Sequence, residues 1–173
     1  MLTTLLESPL GPIRLRIDDD AITELRWNTA EEDDATATGD DAASPGTSPG
    51  IVPIEEAMAH PLVAETSRQL DAYFAGDLDS FDLPLRPAGT TFQRLVWHIM
   101  QRIPKGHVRT YGGVAEELGA SARAVGTACG RNPIPIIIPC HRIVAANGKM
   151  GGFSAAGGVE DKVWLLRHEG ALL

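Results

Sequence analysis

Two cysteines, Cys129 and Cys140, occur in 173 residues, and their surroundings differ. Cys129 sits in "TACGRN", among small residues. Cys140 ends the apolar run "IPIIIP" and is followed at once by His141 and Arg142. A thiol among isoleucines and prolines is ordinarily inert, because burial disfavours the thiolate. An imidazole or a cation next to it does the opposite and supplies a nucleophile at neutral pH. On residues alone, Cys140 reads either as a reactive cysteine or as core, and Cys129 as core. On a strand, Cys140 and His141 would face opposite sides. Direct proton exchange therefore needs the chain to turn there, and a bridging water is the easier route. Pro133, Pro135 and Pro139 remove backbone donors and stiffen the approach.

Neither cysteine belongs to a CxxC pair, so the sequence predicts no zinc site and no disulfide framework. A reducing, cytoplasmic setting is expected. The first twenty residues lack a basic start followed by a long apolar run, so neither a signal peptide nor a membrane span is expected. The net charge of −8 is unevenly placed. Residues 1–87 hold 5 Lys/Arg and 18 Asp/Glu, net −13; residues 88–173 hold 10 and 5, net +5. A polyanion would meet only the second half, unless the acidity is a general feature with no partner behind it.

The elements that must position these groups follow from periodicity. Residues 1–27 alternate with period two, as in Ile13, Leu15 and Ile17, and break at Asp18–Asp20; they predict a small antiparallel sheet. Residues 28–53 are acidic and rich in Gly, Pro, Ser and Ala, which predicts a solvated loop. "HPLVAETSRQLDAYFAG" predicts a helix with Pro61 in its first turn, an apolar face of Val63, Leu70, Tyr73 and Phe74, and a stop at Gly76. "TTFQRLVWHIMQRIP" predicts another, with Phe92, Leu95, Val96, Ile99, Met100 and Ile103 on one face; His98 within it reads as structural. Two short helical patterns then meet at Gly119, the second capped by Ser121, in the manner of a helix-turn-helix. "IPIII" predicts a buried strand, Asn147-Gly148 a hairpin, and the last segment a helix with Val159, Val163 and Leu166 inward. The fold class expected is α/β (α+β): residues 1–87 a structural sheet-and-helix domain, residues 88–173 a mostly helical domain.

"IPIIIPCHRIV", with "ARAVGTACGRNP" before it, "TFQRLVWHIMQRIPKGHVRTYGGVAEELG" further upstream and "WLLRHEG" after it, resembles the O6-alkylguanine-DNA alkyltransferases over roughly residues 90–170. "SPLGPIRLRI" and "LDAYFAGDLDSFDLPL" resemble bacterial members less specifically. The resemblance implies a monomeric repair protein without cofactor or metal. Its partner would be duplex DNA carrying O6-alkylguanine, entered from the minor groove with the damaged base flipped out. It implies that Cys140 takes the alkyl group, that His141 accepts the thiol proton through a water, and that Glu169 orients His141. Asn132 would brace the site and Tyr111 would crowd a phosphate and protonate the leaving base. Arg123 would fill the gap left by the base. Ala124, Gly126, Ala128 and Gly130 would allow close backbone approach to the groove. The carbonyls of Cys140 and Ile143 would accept the guanine amino group, the backbone at Phe153 and Ser154 would bind the O6 edge, and Lys162 would match a lysine of the closing helix. The resulting thioether would be permanent, one transfer per molecule. Three departures stand out: Gly112-Gly113 open the first helix of the motif, Phe153 replaces a frequent tyrosine, and the segment from Phe153 to Lys162 is two residues longer. Competing readings are a lesion sensor without a nucleophile, a Cys-His hydrolase and a helix-turn-helix regulator with an inert Cys140.

Overall fold

A computed structural model describes residues 1–27, 50–153 and 157–172. Strands β1 (Leu2–Leu6), β2 (Ile13–Asp18) and β3 (Ala21–Trp27) form an antiparallel sheet in the order β1-β2-β3. The β2–β3 turn is the two-residue kind, with Asp19 and Asp20 both at positive φ, 44° and 61°, which matches the twist of the flanking strands. Asp tolerates that region because its short polar side chain bonds locally.

The expected acidic loop, up to residue 49, lies outside the described residues. Its last part is docked: the Val52 N–H donates to the Thr3 carbonyl at 2.8 Å and the Val52 carbonyl accepts from the Thr4 hydroxyl at 2.8 Å. A four-residue helix α1 (Ile54–Ala57), unmarked in the sequence pattern, follows. Helix α2 (Pro61–Ala75) has the predicted limits, with Gly76 at φ 88° closing it. Helix α3 (Thr91–Gln101) opens with a reciprocal capping box between Thr90 and Gln93. Val96, Ile99 and Met100 are buried as the spacing requires, Ile103 is buried just beyond the helix, and Trp97 joins them. Leu95 and His98 face outward. The predicted stripe was therefore one residue too wide.

Strand β4 (Arg109–Thr110) leads directly into α4 (Tyr111–Leu118). Gly119, left-handed, ends α4, and Ser121 caps α5 (Ala122–Gly130) by accepting from the Ala124 N–H at 3.1 Å. This is the expected helix-turn-helix. Trp97 locks α3 to it, its indole N–H donating to the Ala128 carbonyl at 2.8 Å.

Two expectations fail. "IPIII" is not a strand. Three prolines leave too few donors for a ladder, and Ile136 is left-handed at φ 72°, an unusual state for a β-branched residue. The run is instead a compact buried loop, closed by Ile138 N–H to the Ile134 carbonyl at 2.9 Å. Asn147-Gly148 does turn, with φ of 65° and 72° and an Ala145 N–H to Lys149 carbonyl bond of 2.8 Å. Among the described residues, however, no second strand leaves it. Strand β5 (Ile143–Val144) pairs in parallel with β4 instead. The final helix, α6 (Val159–His168), turns Lys162, Leu165 and Leu166 inward while Val159 is exposed.

The sheet and the helical part share one apolar core, which runs from Leu15 and Leu25 through Tyr73 and Trp97 to Ile134 and Leu165. Backbone bonds join the two: Leu25 N–H to the Pro133 carbonyl at 2.9 Å, and β3 to residues 84–86 on its outer side, where Ile22 exchanges bonds of 2.8 Å with Pro84 and Arg86.

Candidate active site

Pro139 has φ −81° and ψ 70°, and the Cys140 N–H returns to the Ile138 carbonyl at 2.8 Å, an inverse γ-turn. One 3₁₀ turn, Cys140–Arg142, follows. The chain therefore does turn at the cysteine, and it sends Cys140, His141 and Arg142 in three directions while burying all three. Asn132 holds the loop behind them. Its amide donates to the Ile138 carbonyl at 2.8 Å and its oxygen accepts from the Ile134 N–H at 3.0 Å.

His141 is fully buried. Its Nε2 lies 2.8 Å from Glu169 Oε1. An ionised carboxylate only accepts, so Nε2 carries the hydrogen and Nδ1 keeps its lone pair. Nδ1 is buried and has no partner among the described residues. Burial pushes the imidazole below its usual range, against the pull of Glu169, so the ring is neutral at neutral pH. Burial alone would raise Glu169, but bonds from His141 and Arg142 hold it well below the usual carboxylate value. Arg142 grips that carboxylate with Nε on Oε2 at 2.9 Å and Nη2 on Oε1 at 2.8 Å, while Nη1 donates to the Ile103 carbonyl at 2.5 Å.

Arg142 is committed to Glu169 and is thus not the cation that acts on the thiol. Burial pushes the Cys140 thiol up; the Asn132 amide, then Lys162, oppose it. At neutral pH the sulfur is therefore a protonated thiol.

Cys140 opens on its other side into a cavity of about 550 Å³. Tyr111, Gly126, Gly130, Ala145, Gly152 and Phe153 line it, with Gly112, Ala122 and Ala146. The β4–β5 pairing sets Arg109 opposite Ile143 and Thr110 opposite Val144, which brings Tyr111, the first residue of α4, close to the strand that holds Ile143. Lys162 lies between them: its ammonium donates to the Ile143 carbonyl at 2.6 Å and reaches the Tyr111 hydroxyl at 3.4 Å. Burial, then the nearby Cys129 and Cys140, raise the Tyr111 phenol to about 12, so it keeps its proton. Gly151, at φ 70°, allows this approach, since a Cβ there would stand 2.7 Å from the Tyr111 hydroxyl.

One predicted position needs revision. Ala128 faces the core, its carbonyl bonded to Trp97, and is not part of the open helix face. Ala124 is half-buried and does not line the cavity. The lining stripe of α5 is Ala122, Gly126 and Gly130, one turn apart. Arg123 is exposed at the start of α5. Ser154 lies outside the described residues. Cys129 is buried but is more than core: it lines the same cavity as Cys140, and burial, then Cys140, raise it to about 12. Sequence reasoning counted Tyr73 only as apolar surface, yet its hydroxyl donates to Glu169 at 2.8 Å. The available signal was chemical: a tyrosine on an inward stripe needs a partner for its hydroxyl. Among the described residues no cluster of three His, Cys, Asp or Glu could hold a metal, and no helix is long and apolar enough to cross a membrane.

A buried Cys, a neutral His and a clamped Glu thus lie behind a helix-turn-helix, with the thiol at the edge of a cavity of about 550 Å³. Residues 91–171 match the model of the 6-O-methylguanine DNA methyltransferase DNA binding domain, and residues 1–87 match that family's ribonuclease-like domain. The methylated-DNA–protein-cysteine methyltransferase of Methanosarcina acetivorans is 40% identical over 99% of this chain and 99% of its own. That of Shigella flexneri is 54% identical over 62% of this chain and 63% of its own. The crystal structure of Mycobacterium tuberculosis OGT in complex with DNA superposes with a TM-score of 0.74 at 37% identity, covering 99% of this chain and 94% of the other. The chain belongs to the 6-O-methylguanine DNA methyltransferase family.

Proposed function

We infer that this chain binds DNA and repairs O6-alkylguanine by moving the alkyl group, intact, onto Cys140. The observation that carries the reading is a buried thiol followed in the chain by a neutral imidazole whose Nδ1 has no partner among the described residues and whose Nε2–H is fixed on Glu169. That tautomer leaves a lone pair for the thiol proton, passed through one water. The thiolate attacks the alkyl carbon as the carbon–O6 bond breaks, and the bonding electrons leave with the guanine. Tyr111, still protonated at neutral pH, gives its proton to the base, and the Lys162 ammonium at 3.4 Å stabilises the phenolate left behind. The cavity accepts a flipped purine, entered from the minor groove, where the small residues Ala122, Gly126 and Gly130 give α5 a low profile. Arg123 occupies the vacated position in the stack. The carbonyls of Cys140 and Ile143 take the guanine amino group, the second alongside its bond from Lys162. The protein acts as a monomer.

The product is a thioether, which has no ionisable proton and is a poor leaving group. Transfer therefore ends with one alkyl group per molecule. The test is intact mass after incubation with duplex DNA bearing one O6-methylguanine. One added methyl on Cys140, with equal loss of lesion and no later turnover, is expected. Binding without modification would indicate a lesion sensor.

A further inference from the structure

Glu169 receives three donors on one oxygen, and one of them comes from the other half of the chain. Tyr73, on α2, is 1% exposed, and its hydroxyl donates to Glu169 Oε1 at 2.8 Å. The same oxygen takes His141 Nε2 and Arg142 Nη2, each at 2.8 Å. Tyr73 makes a second bond to the neighbouring residue, its carbonyl accepting from His168 Nε2 at 2.7 Å. One residue thus pins the end of α6 by both its side chain and its backbone. Its ring is set by Phe74, Phe81 and His168, with centroids 5.2, 5.3 and 5.3 Å away. Burial, then the Glu169 charge, push its phenol far above the usual range, so the hydroxyl is always a donor.

We propose that Tyr73 is a positioning residue for alkyl transfer, and that through it the N-terminal half takes part in the proton relay; this rests on the function proposed above. A hydroxyl donating to Oε1 draws charge from the carboxylate and fixes the oxygen that orients the imidazole. Without it the carboxylate is a stronger acceptor and less well placed. The imidazolium then becomes easier to form, and the neutral base is lost at a higher pH. His141 and Arg142, the other donors to Glu169, would anchor it only from within the C-terminal half.

The test uses the full chain with Tyr73→Phe, which keeps the ring. Single-turnover methyl transfer is followed from pH 5 to 9, with duplex affinity and thermal midpoint measured beside it. Expected are an unchanged affinity, a maximal rate lower by about tenfold, and an acid limb moved to higher pH. Phe81→Leu is the control: it loosens the packing of the ring but keeps the hydroxyl, and should lower the midpoint without moving the acid limb. A Tyr73→Phe protein with wild-type rate and acid limb overturns the proposal. So does one whose rate and midpoint fall while its acid limb stays in place, because that is packing alone. If the wild-type protein takes up no methyl group at all, the parent reading fails, and this one with it.

Discussion

Cys140 has two walls, built on opposite principles. Behind it, His141, Arg142, Glu169, Tyr73 and Asn132 are buried and bonded to one another and to backbone carbonyls. In front, Ala122, Gly126, Gly130, Gly152 and Phe153 carry no charge and leave about 550 Å³ open. The rear wall must hold a proton path still, and buried polar groups do this when their bonds are satisfied. The front wall must admit a bulky base, so its residues are small and its polar side chains few. Tyr111 also lines the front, with its hydroxyl 3.4 Å from Nζ of the buried Lys162.

The difference can be broken at several points. The largest effect is expected from Cys140→Ser, which places a poorly acidic hydroxyl between intact walls. Methyl uptake should vanish by intact mass, while affinity for lesion-bearing duplex is retained. Glu169→Gln attacks the rear wall alone. It strands the buried Arg142, and breaking such a pair costs about 3–5 kcal/mol. The denaturation midpoint should fall sharply and the transfer rate drop by about 10²-fold, with duplex affinity unchanged in the folded fraction. Arg123→Ala attacks only the front. Repair of duplex DNA should slow by about tenfold, since an unstacked base is worth a few kcal/mol. Reaction with free O6-benzylguanine, which needs no flipping, should keep its rate. The smallest effect concerns pH. His141 and Glu169 both bind protons less readily folded than unfolded, so the unfolded chain gains protons first as pH falls. The contribution of His141 should begin to be lost below its ordinary 6.5 and that of Glu169 below its ordinary 4.5. Melting curves from pH 8 to 4 check this; a midpoint that rises on acidification contradicts the assigned states.

The front wall was the more legible in sequence. Small residues between Ser121 and Asn132, and a cap and glycine separating two short helices, are local signals, and the helix-turn-helix formed where they placed it. The sheet and α2 were likewise local, set by alternation in one case and by Pro61 and Gly76 in the other. The rear wall depends on contacts across 27 and 96 residues, Arg142 to Glu169 and Tyr73 to Glu169. Spacing carries no record of such pairs. Arg142 was therefore read as a partner of the thiol beside it, when its guanidinium turns the other way. The "IPIII" run misled for a related reason. Its apolar, β-branched character describes burial correctly, but the prolines and Asn132 decide the path of the backbone. Ala128 was placed on the open face of α5 by its size alone, whereas its position in the helix turns it toward Trp97.

The sheet has a consequence for behaviour in the cell-free tube and beyond. A protein consumed by each event repairs only as many lesions as there are copies, so capacity means concentration. Concentrated β-proteins join through open strand edges. Here both outer strands carry a piece of the chain's own backbone: Val52 lies along β1, and residues 84–86, with Pro133, lie along β3. With part of each edge occupied in this way, the sheet offers less open backbone to a second copy at high concentration.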